Sequence, residues 1–581
     1  MISILKRFKK KEILLVCISI LFIVFQVWLD LKIPDYMSEI TKLLQTEGTT
    51  IKEILVPGTS MIICAIGSLI GAVIVGYLVS NIAATFSKNL RKDIFRKVGN
   101  FGMEEIKNFS TSSLITRTTN DVTQVQMLIA MGLQMLIKSP IMVVWALTKM
   151  SSKAIQWTAV TGGAVLVLLL LITILIVFAL PKFRIIQTLT DNLNRITREN
   201  LTGIRVVRAF NAEKFQTDRF ETANNELTKT NMFTGRLMSL MQPVMTFIMS
   251  SLTLLIYFVG AYLIDEASML DKLDLFSNMV VFSSYAMQVI ISFMMLAIIF
   301  IIYPRASVSI KRINEVLKTK NSIVDGKKTT SKEQGTIEFK NVSFKYPDAE
   351  EYLLENINFK VNKGETIAFI GSTGSGKSSL INLIPRFYDV THGEILVDGI
   401  NVKEYKQEEL YKKLGYIPQK AVMFMGSINY NVSYGSNCKK EEIKEAVRVA
   451  QGQDFVEKLS DTYETNIAQG GTNLSGGQKQ RLGIARAIAR NPEIYIFDDS
   501  FSALDYKTDY LLRKELKKYT KDATTLIVAQ RIGTIKNADK IIVLDNGKVV
   551  GNGTHKQLLS DCEVYKEIAL SQLSKEELEN E

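Results

Sequence analysis

Six runs of about twenty apolar residues crowd the chain before residue 305, and none follows. They cover Ile13–Leu29, Met61–Ile82, Met127–Leu147, Ala159–Leu180, Val244–Ile264 and Phe276–Tyr303. A helix needs about 20 such residues to cross the hydrocarbon core of a bilayer. A first half built this way is expected to be an all-α membrane domain, because only helices satisfy their own backbone groups in lipid. Five runs carry no charge, and the third carries one, Lys138, two residues before Pro140. As an intramembrane charge, Lys138 is open to a functional role or to snorkelling towards the interface.

The first run follows Lys6, Arg7, Lys9, Lys10 and Lys11, as in a signal peptide. No small-x-small cleavage site comes after it, so it reads as an uncleaved span. Loop charges set the orientation. The segment Ala83–Gln126 carries seven Lys/Arg and Pro181–Gln242 carries ten, whereas Asp265–Asp274 has one Lys and four acids. The positive-inside rule therefore places the N-terminus and both long loops in the cytoplasm. The net charge of +12 is largely topological, and no nucleic-acid partner is needed to explain it.

The long loops are punctuated by apolar residues at helical spacing, as in Ile106-Phe109-Leu114-Ile115 and Leu201-Ile204-Val206-Val207-Phe210. Membrane helices are expected to run on into the cytosol and turn there through short cross-helices near Asn108–Leu114 and Gly203–Phe210. Spans five and six are rich in Met, among them Met245, Met249, Met287 and Met294. Such faces are ordinary packing or an adaptable apolar binding wall. Four scattered cysteines (Cys17, Cys64, Cys438, Cys562), with no CxxC pair, make neither a disulfide scaffold nor a zinc site.

Composition changes at Lys318–Gln334, which loses apolar periodicity. The domain boundaries follow: a membrane domain over 1–319, a linker over 320–335, and a soluble domain over 336–574 with alternating strand and helix patterns. The soluble domain contains Gly371-Ser372-Thr373-Gly374-Ser375-Gly376-Lys377-Ser378, a complete G-x-x-x-x-G-K-[ST]. It lies between an apolar strand at Thr366–Ile370 and a helix from Ser378, the context the P-loop requires. Its glycines let backbone N–H groups close on the β-phosphate, Lys377 reaches the β/γ oxygens, and the Ser378 hydroxyl ligates Mg²⁺. The strand Ile494–Phe497 ends in Asp498, the carboxylate expected to hold the metal through water. Leu474-Ser475-Gly476-Gly477-Gln478 leads into a helix whose free N–H groups suit a phosphate. The P-loop already encloses the chain's own nucleotide, so these donors need another, which implies two such domains face to face.

These motifs resemble those of the ABC transporter family, over nearly the whole chain. Six spans followed by one ATPase domain resemble an exporter-type half-transporter: a membrane all-α six-helix exporter domain followed by an α/β P-loop NTPase domain. The resemblance implies that Tyr346 stacks on adenine, that Ser379 completes the P-loop with Ser378, and that Gln419 is the loop glutamine contacting the metal. It also makes Ser475, Gly476, Gly477 and Gln478 the signature, Asp505 part of the loop crossing the dimer interface, and the cross-helices coupling helices. ATP and Mg²⁺ are the implied cofactors. Two positions depart from the family: Asp499 stands where Glu is usual as the base, and Gln530 where a His contacts the γ-phosphate. Asp is one methylene shorter than Glu, and Gln cannot become cationic. The combination resembles the degenerate-site subunit of bacterial heterodimeric multidrug-type exporters. The implied partners are a second half-transporter chain, the lipid bilayer and a hydrophobic small-molecule or peptide cargo. A slowly hydrolysing homodimer and an ATP-gated sensor subunit are the alternatives.

Overall fold

The computed structural model describes residues 7–46, 48–151 and 155–573. Lys6 and the expected domain end at Ser574 lie outside the described residues. The chain divides into two compact units: 1–99 with 112–319, and 100–111 with 320–581.

The first unit is helical. Its elements are α1 (Lys10–Gln45) and α2 (Ile51–Gly99), then α4 (Thr111–Thr118) running into α5 (Asn120–Ser151). There follow α6 (Ile155–Thr202), the short α7 (Ile204–Ala209), α8 (Glu213–Ser239), α9 (Met241–Glu266) and α10 (Met269–Lys318); α3 (Met103–Phe109) belongs to the second unit. Among the described residues six helices are long and apolar enough to cross a membrane. The 49 residues of α2 extend about 73 Å at 1.5 Å per residue, more than twice the ~30 Å hydrocarbon thickness. The helices therefore do continue well beyond the lipid. Their packed interior combines Ile23, Val27 and Leu31 of α1 with Val75 and Val79 of α2, Trp157 of α6, and Phe282, Val289 and Ile290 of α10.

The second cross-helix forms as α7, close to its expected place. The first is shifted. The chain bends at Ser110, whose φ of 55° ends α3 at Phe109. The apolar series from Ile106 to Ile115 thus spans two helices rather than one. Within the second unit α3 is bolted to the linker: the Glu105 carboxylate accepts from Gly102 N at 2.8 Å and from Ser322 N at 2.6 Å.

The rest of this unit carries two main sheets. Strands β1 (Ile337–Phe344), β2 (Leu354–Val361), β4 (His392–Val397) and β5 (Ile400–Asn401) form an antiparallel sheet ordered β2-β1-β4-β5. The other sheet is built from β3 (Thr366–Gly371), β6 (Leu414–Ile417), β9 (Ile494–Asp498), β10 (Thr524–Val528), β11 (Lys540–Asp545) and β12 (Lys548–Gly553). Its order is β12-β11-β3-β10-β9-β6. Strands β11, β3, β10, β9 and β6 run parallel. A two-stranded ribbon of β7 (Gly426–Ser427) and β8 (Asn466–Ile467) completes the set. Strand β9 is buried throughout and β10 likewise, the continuous apolar pattern of parallel strands covered on both faces.

Candidate nucleotide site

Four neighbouring parallel strands end side by side, and each delivers expected site residues at or just past its carboxyl end. Strand β3 leads into the P-loop, β10 to Gln530, β9 to Asp498 and Asp499, and β6 to Gln419. Ligands of open α/β sheets bind outside such strand ends. The register Val528↔Asp498 between β10 and β9 sets Gln530 beside Asp499. A cleft of about 340 Å³ opens there, lined by Thr373, Gly374, Gly376, Lys377, Ser378, Ser379, Gln419 and Gln530, with Leu353 on its rim.

The loop itself requires its glycines. A Cβ on Gly371 would sit 2.0 Å from the Leu544 carbonyl oxygen, and Gly376, at φ 92°, would meet Leu354 at 2.7 Å. Helix α11 (Lys377–Asn382) starts immediately after. Lys377 Nζ donates to the carbonyls of Gly371 at 2.9 Å and Ser372 at 2.7 Å, close to buried Ser375 at 3.4 Å. Burial lowers the Lys377 pKa, and the carboxylates of Asp499 and Asp498 oppose that shift.

Ser378 Oγ donates to Asp498 Oδ1 at 2.7 Å, so the two expected oxygen ligands already meet. Tyr416 OH reaches Asn382 at 3.0 Å and Asp498 Oδ2 at 3.5 Å. Burial pushes the Asp498 carboxyl above its usual range despite the Ser378 hydrogen bond. Hard oxygen donors on a buried carboxylate suit Mg²⁺, which takes one or two protein carboxylates or hydroxyls and keeps its remaining positions for phosphate and water.

Asp499 is the unusual group. Its backbone has φ 46°, a left-handed conformation that Asp tolerates better than longer side chains. One carboxylate oxygen, Oδ2, accepts from both Gln419 Nε2 at 3.2 Å and Gln530 Nε2 at 3.1 Å. Three residues read from separate motifs are therefore one cluster, in which both amides donate to a single short carboxylate. Burial raises the Asp499 pKa; the Gln419 and Ser502 hydrogen bonds and the charge of Lys377 pull it down.

Tyr346 OH shares a hydrogen bond with Ser379 Oγ at 2.8 Å, tying the expected adenine platform to the helix after the P-loop. The signature opens α12 (Gly476–Ala489). Ser475 and Gln478 cap it reciprocally: Ser475 Oγ accepts from Gln478 N at 3.3 Å, and Gln478 Oε1 from Ser475 N at 2.8 Å. The first-turn N–H groups of Gly476 and Gly477 have no helical carbonyl within reach, and Ser475 and Gly476 are exposed. They line no part of the P-loop cleft. Asp505 caps α13 (Tyr506–Tyr519) by accepting from Thr508 N at 3.0 Å, which holds its carboxyl below the usual range.

Sequence reasoning missed three contributors. Tyr416 stands three residues before Gln419, with nothing in the local sequence to mark its reach to Asp498. Ser502 donates to the Asp499 carbonyl at 2.9 Å, a contact between a side chain and a backbone oxygen that no motif spacing announces. Lys107 of α3 pairs with Asp348 at 2.7 Å and lies 5.9 Å from the Tyr346 ring centre; its distance along the chain hid it.

A bundle of six membrane-crossing helices and a P-loop cleft at the carboxyl edge of a parallel sheet define a membrane-embedded nucleotide-driven transporter. The comparisons agree. A family model described as the ABC transporter transmembrane region matches residues 16–293, and one described as ABC transporter matches 354–502. An uncharacterised ABC transporter ATP-binding protein of Mycobacterium tuberculosis is 39% identical over 527 residues, covering 88% of this chain and 87% of that protein. The ATP-dependent lipid A-core flippase of Haemophilus influenzae is 31% identical over 501 residues, with 86% and 84% covered. The fold also matches the solved structure of a bacterial Atm1-family ABC exporter with ATP bound, at a TM-score of 0.80 and 22% identity, covering 96% of this chain and 99% of that one. The chain belongs to the ABC transporter family, with the fused membrane and ATP-binding domains of the exporter type. It is a multi-pass membrane ATPase with its nucleotide-binding domain in the cytoplasm.

Proposed function

We propose that this chain is the degenerate-site half of a heterodimeric exporter. It binds ATP durably at its own P-loop and lends its intact signature to a hydrolysing site on the partner's P-loop. The observation that carries this reading is the Asp499 carboxylate, one methylene short of the usual base and held by the amides of Gln419 and Gln530. A base must lie within about 2.6–3.2 Å of the proton it takes, and losing it costs roughly 10²–10⁴ in rate. Gln530 gives one of its two amide N–H groups to Asp499 at 3.1 Å and, unlike a His in that place, cannot become cationic towards the γ-phosphate.

Mg²⁺ would be held by Ser378 and Asp498, with the Gln419 amide oxygen as the third donor, and would neutralise the β/γ oxygens. Lys377 and the loop N–H groups bind the phosphates; Tyr346 stacks on the base. Gly476 and Gly477 present their donors to the nucleotide of the partner. A lasting ATP on this chain keeps the two nucleotide domains together while the other site turns over, and α3 and α7 act as coupling helices. The cargo is lipophilic or amphipathic: the spans carry no recognisable small-ligand constellation, their helices are rich in Met, and one relative is named for flipping a lipid.

The test is steady-state ATPase activity of the purified chain, reconstituted alone in lipid, beside its ATP-binding stoichiometry. Binding without appreciable turnover is the expected result. Turnover at about 1 s⁻¹ or faster, within the ordinary enzyme range, would overturn the reading in favour of a homodimer. ATP-dependent closure of the assembled pair without movement of any amphiphile would favour a sensor subunit instead.

A further inference from the structure

Strand β10 leaves its sheet at Ala529, whose N–H donates to the Phe369 carbonyl at 3.2 Å. The next two residues, Gln530 and Arg531, carry the chain on to the short α14 (Ile532–Ile535), and both are exposed. Arg531 is extended, at φ −101° and ψ 128°. In an extended segment the carbonyl of one residue and the N–H two residues later point to the same side. Here both are taken by one side chain, Gln572. Its Nε2 donates to the Gln530 carbonyl at 2.7 Å, and its Oε1 accepts from Ile532 N at 2.9 Å. A primary amide carries donor and acceptor together, so Gln572 stands where the peptide group of a neighbouring strand would stand.

Gln572 is itself held. It lies in the turn after α15 (Glu563–Leu570), and its backbone N–H donates to the Ala569 carbonyl at 3.0 Å. Tyr565 and Ala569 of α15 pack in the same core cluster as Ile532 and Ile535, all 0% exposed. The far end of the segment is fixed separately. Arg513 of α13 donates to the Gly533 carbonyl at 2.9 Å, and Asp509 braces its guanidinium at 2.9 and 3.1 Å. The stretch left to swing is Gln530–Ile532, and Gln572 spans it. At the start of that stretch Gln530 lines the P-loop cleft. It gives one amide N–H to Asp499 at 3.1 Å, which leaves the other for a phosphate.

We propose that Gln572 is a positioning residue for the nucleotide site, holding the backbone at Gln530 and Ile532 so that the Gln530 amide is set against the terminal phosphate of ATP. The inference rests on Gln530 facing that phosphate, but not on which chain hydrolyses. Its test is equilibrium binding to the full chain in nanodiscs. The probes are a fluorescent β,γ-imido analogue of ATP, which is not hydrolysed, and fluorescent ADP, which lacks the γ-phosphate. A hydrogen bond to a charged group is worth about tenfold or more in affinity. Gln572→Ala loosens that bond without removing it, so it should weaken the imido analogue about fivefold and leave ADP within about twofold. Gln572→Glu keeps the acceptor for Ile532 but sets an oxygen against the Gln530 carbonyl, and should lose as much. In a Gln530→Ala background, Gln572→Ala should add nothing, since the group it positions is gone. Equal losses for the two nucleotides would mark a merely structural role and overturn the proposal. So would unchanged analogue binding by either Gln572 variant, or an effect of Gln572→Ala that persists without the Gln530 amide. Rapid ATP turnover by the chain alone would sink the degenerate-site reading and leave this test as it stands.

Discussion

Restoring the missing methylene at position 499 is the most direct probe of the nucleotide site. In Asp499→Glu the carboxylate moves about 1.5 Å further from the backbone, past the point where Gln419 and Gln530 now converge on Oδ2 at 3.2 and 3.1 Å. Recovering a positioned base gains roughly 10²–10⁴ in rate. The backbone opposes part of this. At φ 46° a longer L-residue costs about 1 kcal/mol more than Asp, which is a factor of about five at 1.36 kcal/mol per tenfold. Taking that from the lower bound leaves at least a ~20-fold acceleration. Adding Gln530→His, which frees Asp499 of one amide and supplies a donor that can become cationic, should raise it further. The assay is single-turnover hydrolysis of ATP labelled in the γ-phosphate, in the assembled complex with the partner's own base removed, so that only this chain's site contributes. A Glu variant that binds ATP normally yet hydrolyses it no faster than wild type would refute the reasoning. So would a wild-type site already turning over at ordinary enzyme rates.

Lys377→Ala removes the ammonium from the phosphate cradle; charge-assisted hydrogen bonds contribute about 1.5–3 kcal/mol, so a fluorescent ATP analogue should bind roughly 10–150-fold more weakly. Asp498 is held above its usual pKa by burial, so the folded chain binds its proton more tightly than the unfolded chain does. Apo stability should therefore fall as pH rises from the unfolded carboxyl value through the raised folded one. Asp498→Asn should lessen that decline in thermal melts between pH 4 and 7, leaving the part due to Asp499, whose pKa burial also raises, while abolishing Mg²⁺-dependent ATP binding. Gly477 has the Ala503 carbonyl 3.3 Å from where a Cβ would sit, at the exposed start of α12. Gly477→Arg should cut ATPase activity of the complex at least tenfold and leave ATP binding at this chain's own P-loop unchanged, as equilibrium titration would show.

Much of this molecule is local in origin and hence readable from the chain. Six apolar runs must become helices because lipid offers no other backbone partner, and loop charges orient them. The P-loop declares itself because tight phosphate binding demands glycines at set positions, and Gly371 and Gly376 do sit where any side chain would collide. The signature start is equally local, since Ser475 and Gln478 cap one another three residues apart. The departures at Asp499 and Gln530 were also visible as single letters.

What they do together was decided by the strand order β3-β10-β9-β6. Pairing β10 between β3 and β9 sets Gln530 against Asp499, and pairing β6 with β9 brings Gln419 to the same oxygen. No local pattern encodes that convergence, because strand neighbours are chosen by burial across the whole sheet. The same holds in the membrane. Sequence left Lys138 open between snorkelling and function, and only helix packing supplied Asp30 at 3.2 Å. The break at Ser110 that divides α3 from α4 was hidden too, since apolar spacing carries no record of one backbone dihedral. Periodicity and composition report which surfaces a segment must bury; which partner buries them is settled only when the distant elements meet.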